Sequence, residues 1–218
     1  KAHEYLKQFQ GGPIHHRIGG QDVLASDGQT FDSLSPVDMS KLASAAQGTA
    51  EDIDAACNAA KAAFAEWAAT SGAERKRILH AIADGIVARK EEIAFLEALD
   101  TGQSLRFLSK AALRAADNFR FFADMAPGAR DGQSLYGNNQ LNVTNRVPLG
   151  PVGIITPWNT PFMLSTWKIA PALACGCTVV HKPAEFSPLT ARLLVEIAEE
   201  AGLPAGIWNM VNGMGEVA

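Results

Sequence analysis

From Thr49 onward, apolar residues in the first half of the chain recur at the three- and four-residue intervals of amphipathic helices. Thr49 can cap the first of these helices, and Ser71 with Glu74 forms a capping-box pattern for the second. Two more helices are predicted, one ending at 101–102 and one at 127–128, where the pattern is interrupted. The apolar stripe of the first helix consists of Ile53, Cys57, Ala60, Phe64 and Trp67.

The segments on either side of these helices follow other patterns. Residues 1–10 predict a short amphipathic helix, and in the turn-rich region after it 16–18 and 30–34 predict small hairpins. Residues 131–147 alternate polar and apolar side chains, which is typical of extended structure.

After residue 150, short apolar strands alternate with helices. Helices are predicted over 162–174 and after Ser187, which can cap the second helix with Pro188 as its first residue. This alternation predicts an α/β fold, in which a helical N-terminal region precedes a doubly wound parallel, Rossmann-like sheet. Three parallel strands alone leave an open edge and an uncovered face, so we expect the domain to be truncated after its third strand. The predicted strands are 152–156, 178–181 and 207–211.

Composition mainly excludes partners. The 218 residues are 47% hydrophobic and carry 19 basic and 23 acidic side chains, a formal charge of −4. This mild acidity argues against nucleic acid or an anionic membrane as a partner, and no apolar run reaches the roughly 20 residues of a membrane span. No secretory signal is visible, and the three cysteines cannot all pair, so we expect a cytoplasmic protein.

Candidate chemistry follows the predicted strands, because ligands of open parallel sheets bind beyond the carboxyl ends of the strands. After the first strand, Pro157 and Pro161 bracket Trp158 and Asn159 and hold the Asn159 amide in one orientation. A preorganised amide donor suits the stabilisation of a developing oxyanion. The alternative is that Asn159 satisfies only backbone groups of its own turn.

Two further motifs follow the second and third strands. Lys182 and Glu185 stand where dinucleotide-binding folds place an acidic residue that accepts hydrogen bonds from ribose hydroxyls, with a lysine able to donate to the sugar or phosphate. The alternative is a surface ion pair of little energetic consequence. Residues 213–218 match G-x-G-x-x-A, a weak signal without the helix and acidic residue that confirm it.

Other reactive side chains are weaker candidates for a functional site. The adjacent His15 and His16 have no further ligands at metal-binding spacing, so we predict a flexible polar loop and no metal site. Cys175 and Cys177 have no histidine in a recognisable catalytic pairing, and we interpret both as small buried thiols.

Several motifs together, in their order and spacing, resemble the cofactor-binding half of the aldehyde dehydrogenase superfamily. Within it, the chain is most similar to the 5-carboxymethyl-2-hydroxymuconate semialdehyde dehydrogenases, enzymes of aromatic-acid breakdown. The likeness covers nearly the whole chain and includes the helical segments 74–79 and 96–102. The matching segments of the later part are 151–161, 167–174, 178–185, 187–191, 200–204 and 211–215.

The resemblance implies oxidation of an aldehyde to an acid, with hydride transfer to NAD or NADP. Asn159 matches the oxyanion-hole amide, and Lys182 with Glu185 matches the pair that holds the adenosine ribose. Arg114 matches a position of the aldehyde entrance tunnel, where a guanidinium suits a carboxylate-bearing semialdehyde; the alternative is a bridge to Asp117 on the same helix. The remaining matches are Thr156, Pro157 and Trp158 along the cofactor channel, Gly215 against the cofactor, Leu164 and Trp167 as an apolar wall, and Lys168 near the active site.

The same likeness implies a domain organisation. Residues 1–130 match hairpins and helices of the cofactor domain, 131–150 an extended oligomerisation arm, and 151–218 an incomplete NAD-binding unit. The arm implies a homodimer or homotetramer, and the other partner is a small aldehyde. The family's nucleophilic cysteine and general-base glutamate have no counterpart here, and neither Cys175 nor Cys177 replaces the nucleophile. Two interpretations remain: the N-terminal portion of an aldehyde dehydrogenase, or a non-catalytic dinucleotide-binding or assembly module.

Overall fold

The computed structural model describes residues 1–216, so the last two positions of the G-x-G-x-x-A pattern lie outside the described residues. The helices are α1 (Ala2–Leu6), α2 (Ala50–Ala69), α3 (Gly72–Ala88), α4 (Lys90–Thr101), α5 (Leu105–Met125), α6 (Pro161–Ala174) and α7 (Leu189–Glu200). The strands are β1 (His16–Ile18), β2 (Gln21–Val23), β3 (Thr30–Leu34), β4 (Lys41–Ala46), β5 (Ser134–Gly137), β6 (Gln140–Val143), β7 (Pro151–Ile155), β8 (Thr178–Lys182) and β9 (Trp208–Met210).

Three parallel strands, β9, β8 and β7, form one side of the five-stranded main sheet, which confirms the α/β fold class. β7 pairs with β8 and β8 with β9, and each pair is connected through one helix, α6 or α7. Ile155 lies opposite Lys182, and His181 lies opposite Met210. The carboxyl ends of the three strands, and the loops that follow them, therefore lie together at one end of the sheet.

Both faces of this sheet are covered by helices. Successive side chains of β8 point to opposite faces: Val179 belongs to the main core with α6 and α7, whereas Val180 packs with Ala56 and Ala60 of α2. On the α2 side, the Thr178 hydroxyl donates a hydrogen bond to the carbonyl oxygen of Ala60 (2.9 Å). The face that we expected to be uncovered is thus closed by a helix from the N-terminal region.

An N-terminal hairpin also extends the sheet, so our expectation of an open edge beside the third strand is wrong. β1 pairs antiparallel with β9, with Arg17 opposite Met210, and the strand order is β2-β1-β9-β8-β7. The Arg17 guanidinium binds Glu199 of α7 at 2.7 Å. His16 is buried, and its Nδ1 accepts the backbone N–H of Asn212 (3.1 Å). The predicted polar loop is therefore wrong at His16, because pairing with β9 carries that residue into the core.

Helices α2 and α3 begin at the predicted caps, and most of the predicted stripe of α2 is buried or half-buried, with Cys57 as the exception. Thr49 and Asp52 form a reciprocal capping box. At α3, the Ser71 hydroxyl oxygen accepts the backbone N–H of Glu74, which is one half of the predicted capping box. The other half is missing, because the Glu74 carboxylate binds Arg77 and not the backbone of Ser71. Cys57 is exposed, and small alanines let α2 approach the sheet closely. The buried residues of α2 are Asp52, Ala56, Ala60 and Trp67.

The segment predicted to be extended forms an exposed hairpin, β5 and β6, which confirms that prediction. Asn138 and Asn139 both adopt positive φ, 48° and 59°, as a tight two-residue turn requires. Every residue of the two strands is exposed, and the apolar side chains among them are Leu135, Tyr136, Leu141 and Val143.

Smaller features complete the N-terminal region. The predicted helix over 1–10 is divided into α1 and a single 3₁₀ turn, Lys7–Phe9. β3 and β4 pair with each other in a separate two-stranded sheet. Within residues 1–216, no helix is both long and apolar enough to cross a membrane.

Candidate active site

The loop after β7 begins with a buried residue and continues with exposed ones. Thr156 is buried, and its hydroxyl lies 2.9 Å from Nε2 of His181 in β8. Trp158 is 57% exposed, and Asn159 is exposed as well. The carbonyl oxygen of Asn159 accepts a hydrogen bond from Gln103, whereas among residues 1–216 we find none to its side-chain amide. The local bonds that the alternative interpretation of Asn159 requires are absent from this part of the chain.

His181 is a neighbour of the site to which the sequence analysis assigned no role. Burial, with a smaller contribution from Lys182, lowers the pKa of His181 to about 3, so its ring is neutral at neutral pH. The ring packs 6.0 Å, centroid to centroid, from Trp208. A neutral imidazole fixes the Thr156 hydroxyl without placing a charge beneath the loop.

The loop after β8 carries an ion pair that is mostly buried. Nζ of Lys182 lies 3.4 Å from Oε2 of Glu185 and 3.3 Å from the carbonyl oxygen of Pro183. The Lys182 side chain is 9% exposed and that of Glu185 is 24% exposed, so the interpretation as a surface ion pair is wrong. Both distances are long for a charge-assisted hydrogen bond. The pair therefore keeps hydrogen-bonding capacity that these internal contacts do not use.

The loops after all three parallel strands meet in one cavity of about 560 Å³. Trp158 comes from the first loop, Glu185 and Phe186 from the second, and Met214 from the third. Gly215, the next residue along the chain, is exposed. The structure thus brings the candidate cofactor-binding segments together at the strand ends, where ligands of such sheets bind.

Arg114 lines a different cavity, of about 750 Å³, at the junction of α5 and α6. Thr160, the residue after Asn159, lines the same cavity, so this cavity lies close to Asn159 along the chain. Asp117, the alternative partner of Arg114, is bound by Arg120 instead (3.4 Å). The exposed Arg114 side chain forms no ion pair within residues 1–216, so the predicted bridge on its own helix is not present there.

The remaining candidates lie on α6. Leu164 is half-buried and Trp167 is 51% exposed, one turn apart, and neither lines the cavity of Arg114. Lys168 lines a third cavity, of about 580 Å³, together with Cys175 and Cys177. Lys168 therefore lies apart from the cavity at the strand ends.

The two neighbouring cysteines differ in burial. Cys177 is buried as predicted, whereas the prediction is wrong for Cys175, which follows the last residue of α6 and is exposed. Packing around its sulfur raises the pKa of the Cys175 thiol above the usual value, which disfavours the reactive thiolate. In residues 1–216, no three His, Cys, Asp or Glu side chains are grouped as a metal site.

Two buried carboxyl groups of α4 face the site, and the sequence analysis missed both. Glu97 accepts the backbone N–H of Phe162 in the first turn of α6 (3.4 Å), and Asp100 accepts that of Leu189, the first residue of α7 (3.0 Å). Burial raises the pKa of each carboxyl to about 7. The available signal was a pair of acidic residues one turn apart on the apolar side of a helix, since buried acids are rare unless they have partners.

Asp100 also replaces the cap that we predicted for α7. Ser187 does not cap this helix, because its hydroxyl donates to the carbonyl oxygen of Trp158 (3.4 Å). The helix begins at Leu189, one residue after Pro188, and Asp100 is the acceptor for its first N–H group. An acceptor distant in sequence thus takes the place of a local one.

Comparisons of the chain with family models, curated proteins and solved structures agree on one family. The aldehyde dehydrogenase family model matches residues 23–218. The 2-hydroxymuconic semialdehyde dehydrogenase of Pseudomonas sp. strain CF600 is 42% identical over 208 residues, which cover 93% of this chain and 43% of that protein. The crystal structure of HpcC from Thermus thermophilus gives a TM-score of 0.96 at 47% identity, covering 99% of this chain and 42% of that one.

A structure with bound cofactor is also similar. Betaine aldehyde dehydrogenase from Staphylococcus aureus, solved in complex with NAD+, gives a TM-score of 0.94 at 32% identity, and the alignment covers 100% of this chain and 44% of that one. The chain therefore spans less than half the length of the relatives that it matches.

Proposed function

Because the chain belongs to the aldehyde dehydrogenase family, we propose that it is the N-terminal portion of an enzyme that oxidises an aldehyde to the acid with NAD or NADP. The observation that carries this proposal is the meeting of the loops after β7, β8 and β9 in one cavity at the strand ends. A non-catalytic dinucleotide-binding or assembly module would share this fold but would need no aldehyde. A cytoplasmic location, supported by three free cysteines, belongs to the same proposal.

An intact-mass measurement and an activity assay on the source protein test this function together. We expect a mass more than twice the 23.1 kDa of this chain, as the coverage of its relatives implies, and NADH formation that depends on aldehyde. A source protein of 23.1 kDa that binds NAD without oxidising any aldehyde would favour the module instead.

In this proposal Lys182 and Glu185 hold the adenosine ribose of the cofactor. The carboxylate accepts hydrogen bonds from the two ribose hydroxyls, while the ammonium donates to the sugar. Glu185 fits this group, because it lines the cavity and its long contact with the buried Lys182 leaves hydrogen-bonding capacity on its carboxylate. Trp158 lines the cavity, Thr156 and Pro157 are proposed to complete the same wall of the channel from behind it, and Gly215 is proposed to allow close approach of the ligand. The bound cofactor supplies the hydride acceptor of the reaction.

Replacing the Glu185 carboxylate should change cofactor choice. In the full-length enzyme, Glu185→Gln is expected to lower the preference for NAD over NADP about tenfold, because it removes a charge that repels a 2′-phosphate. The measurement is the ratio of kcat/KM with NAD to kcat/KM with NADP. Glu196→Gln, on the following helix and outside the cavity, is the control and should leave the ratio unchanged. An unaltered enzyme that binds NADP as tightly as NAD would contradict the role of Glu185.

The proposed substrate is a semialdehyde whose far end carries a carboxylate. Arg114 supports this choice, because an exposed guanidinium without an ion pair in the described part of the chain lines a cavity that begins beside Asn159. A carboxylate can bind such a guanidinium bidentately. The relative from Pseudomonas sp. is itself named for a muconic semialdehyde. Leu164 and Trp167, which do not line the cavity of Arg114, stay proposed as an apolar wall farther along the substrate tunnel. Lys168, which lines a separate cavity, stays proposed as a lysine near the active site.

Removal of the Arg114 charge should affect only charged substrates. In the full-length enzyme, Arg114→Met is expected to raise KM for carboxylate-bearing semialdehydes by roughly 10- to 100-fold, the scale of one lost charge-assisted contact. Neutral aldehydes of similar size should change little. Lys110→Met, which removes a cation from the same helix and the same cavity, is the matched control and should shift KM less than about threefold. Equal losses for charged and neutral substrates would identify Arg114 as structural.

The exposed hairpin supports a proposed homodimer or homotetramer. Four apolar side chains of β5 and β6 face solvent in the single chain, and such surfaces commonly mark contacts between proteins. We keep the proposed division into 1–130, 131–150 and 151–218, with the middle segment as the oligomerisation arm. Because β1 pairs with β9, segment 1–130 also completes the sheet of segment 151–218.

A further inference from the structure

The C-terminal end of α4 contacts both loops of the candidate active site. Glu97, Asp100 and Gln103 follow one another at three-residue intervals, and we call these three residues the α4 clamp. Glu97 and Asp100 are both buried, where a carboxyl group is costly unless it has hydrogen-bond partners. Both oxygens of Asp100 have partners, whereas Glu97 has one partner at Oε1 and its buried Oε2 has none within residues 1–216.

Two members of the α4 clamp hold the segment that contains Asn159. The Glu97 carboxylate accepts the backbone N–H of Phe162 (3.4 Å), and the Gln103 side chain donates to the carbonyl oxygen of Asn159. These contacts lie at the two ends of a four-residue segment that enters α6. They anchor the backbone of this segment, while the exposed side-chain amide of Asn159 forms no hydrogen bond within residues 1–216.

The third member holds the loop that contains Glu185. The two oxygens of Asp100 accept hydrogen bonds from the backbone N–H of Leu189 (3.0 Å) and the hydroxyl of Ser33 (2.9 Å). Leu189 begins α7 directly after the Glu185 loop. Asp100 also lines the cavity to which Glu185 contributes. One short helical segment thus contacts the starts of two helices that follow two different strands.

We propose that Glu97 and Asp100 are positioning residues, which set the distance between the Asn159 amide and the Lys182–Glu185 pair. This inference rests on the proposed function, in which the first group faces the reacting aldehyde and the second holds the distal end of the cofactor. Within that function, a shift of the first loop would misplace the amide beside the aldehyde and lower kcat, whereas a shift of the second loop would weaken binding of the ribose and raise KM for NAD. Misplacement by about 1 Å can lower a rate by up to about 100-fold.

The test compares kinetic parameters in the full-length enzyme, normalised to folded protein. Glu97→Ala is expected to lower kcat about tenfold while KM for NAD changes less than about threefold. Asp100→Ala is expected to raise KM for NAD about tenfold with kcat changed less than about threefold. Glu97→Gln should restore kcat, because its amide oxygen accepts the same N–H of Phe162. Glu91→Ala, on the exposed side of α4, is the matched control and should change neither parameter.

Gln103→Ala covers the case in which the alanine variants at the buried positions do not fold. It removes one hydrogen bond from a half-buried side chain and is expected to lower kcat about fivefold, the scale of one hydrogen bond, with KM for NAD unchanged. If the α4 clamp residues had a purely structural role, their variants would have lower thermal stability, but kcat and KM per folded molecule would equal those of the unaltered enzyme. That result, or a loss of the same parameter in the Glu97 and Asp100 variants alike, overturns the proposal.

Two further variants separate this inference from the proposed function. If Asn159→Ala and Glu185→Gln alter the kinetics but the α4 clamp variants do not, only the positioning role is overturned. If the unaltered enzyme oxidises no aldehyde, the proposed function fails and the positioning role fails with it. The same holds if the unaltered enzyme is active but Asn159→Ala and Glu185→Gln leave its kinetics unchanged.

Discussion

Replacing Asn159 by alanine in the full-length enzyme is expected to lower kcat by roughly 100- to 1,000-fold, the cost of removing one oxyanion-hole donor. The structure holds the backbone of Asn159 through Gln103 and leaves its side-chain amide without a hydrogen bond inside residues 1–216. Such an amide can donate to a developing oxyanion without first breaking another bond. KM for NAD should stay within about threefold, because Asn159 does not contact the ribose-binding pair in this proposal.

A matched control and a clear negative outcome accompany this prediction. Asn58→Ala removes an asparagine side chain from the exposed surface of α2 and should leave kcat unchanged. The quantity to measure is kcat at saturating aldehyde and NAD. A decrease of less than about threefold for Asn159→Ala would remove Asn159 from the chemistry and leave it a loop residue.

Residues 1–218 alone are expected to form no NADH from an aldehyde, at least about 1,000-fold below the full-length enzyme. Covalent aldehyde oxidation needs an activated thiolate and a base that deprotonates water. Cys177 is buried, and the thiol of Cys175 has a raised pKa. Cys57 lies on the exposed side of α2, which packs on the sheet opposite α6 and α7. The described part of the chain therefore contains no thiol suited to this role.

The assay for this prediction requires folded protein. Circular dichroism and cooperative thermal unfolding of residues 1–218 establish that the sample is folded before activity is measured. Measurable turnover that disappears in Cys175→Ser or Cys177→Ser would contradict the prediction and assign a nucleophile to this chain. Turnover that survives substitution of all three cysteines, Cys57 included, would indicate a contaminating enzyme.

Local patterns in the sequence were sufficient to identify the secondary structure of most of the chain. The spacing of apolar residues predicted the long helices because one buried face imposes that spacing along the helix itself. Thr49 and Ser71 identified two helix starts, because an N-cap bonds a backbone group only two or three residues away. The order of strands and helices after residue 150 predicted the parallel sheet, and the residues at the strand ends directed attention to the mouth of that sheet.

Only the tertiary structure decided which partners these elements take. β1 completes the sheet beside β9 although almost the whole chain separates the two strands. Asp100 instead of Ser187 receives the first N–H of α7, and Asp117 binds Arg120 instead of Arg114. These choices depend on distances between groups that are remote in sequence or equally spaced on one helix. Hydrophobic periodicity contains no such information, whereas the packed core brings specific donors and acceptors together and excludes water from them.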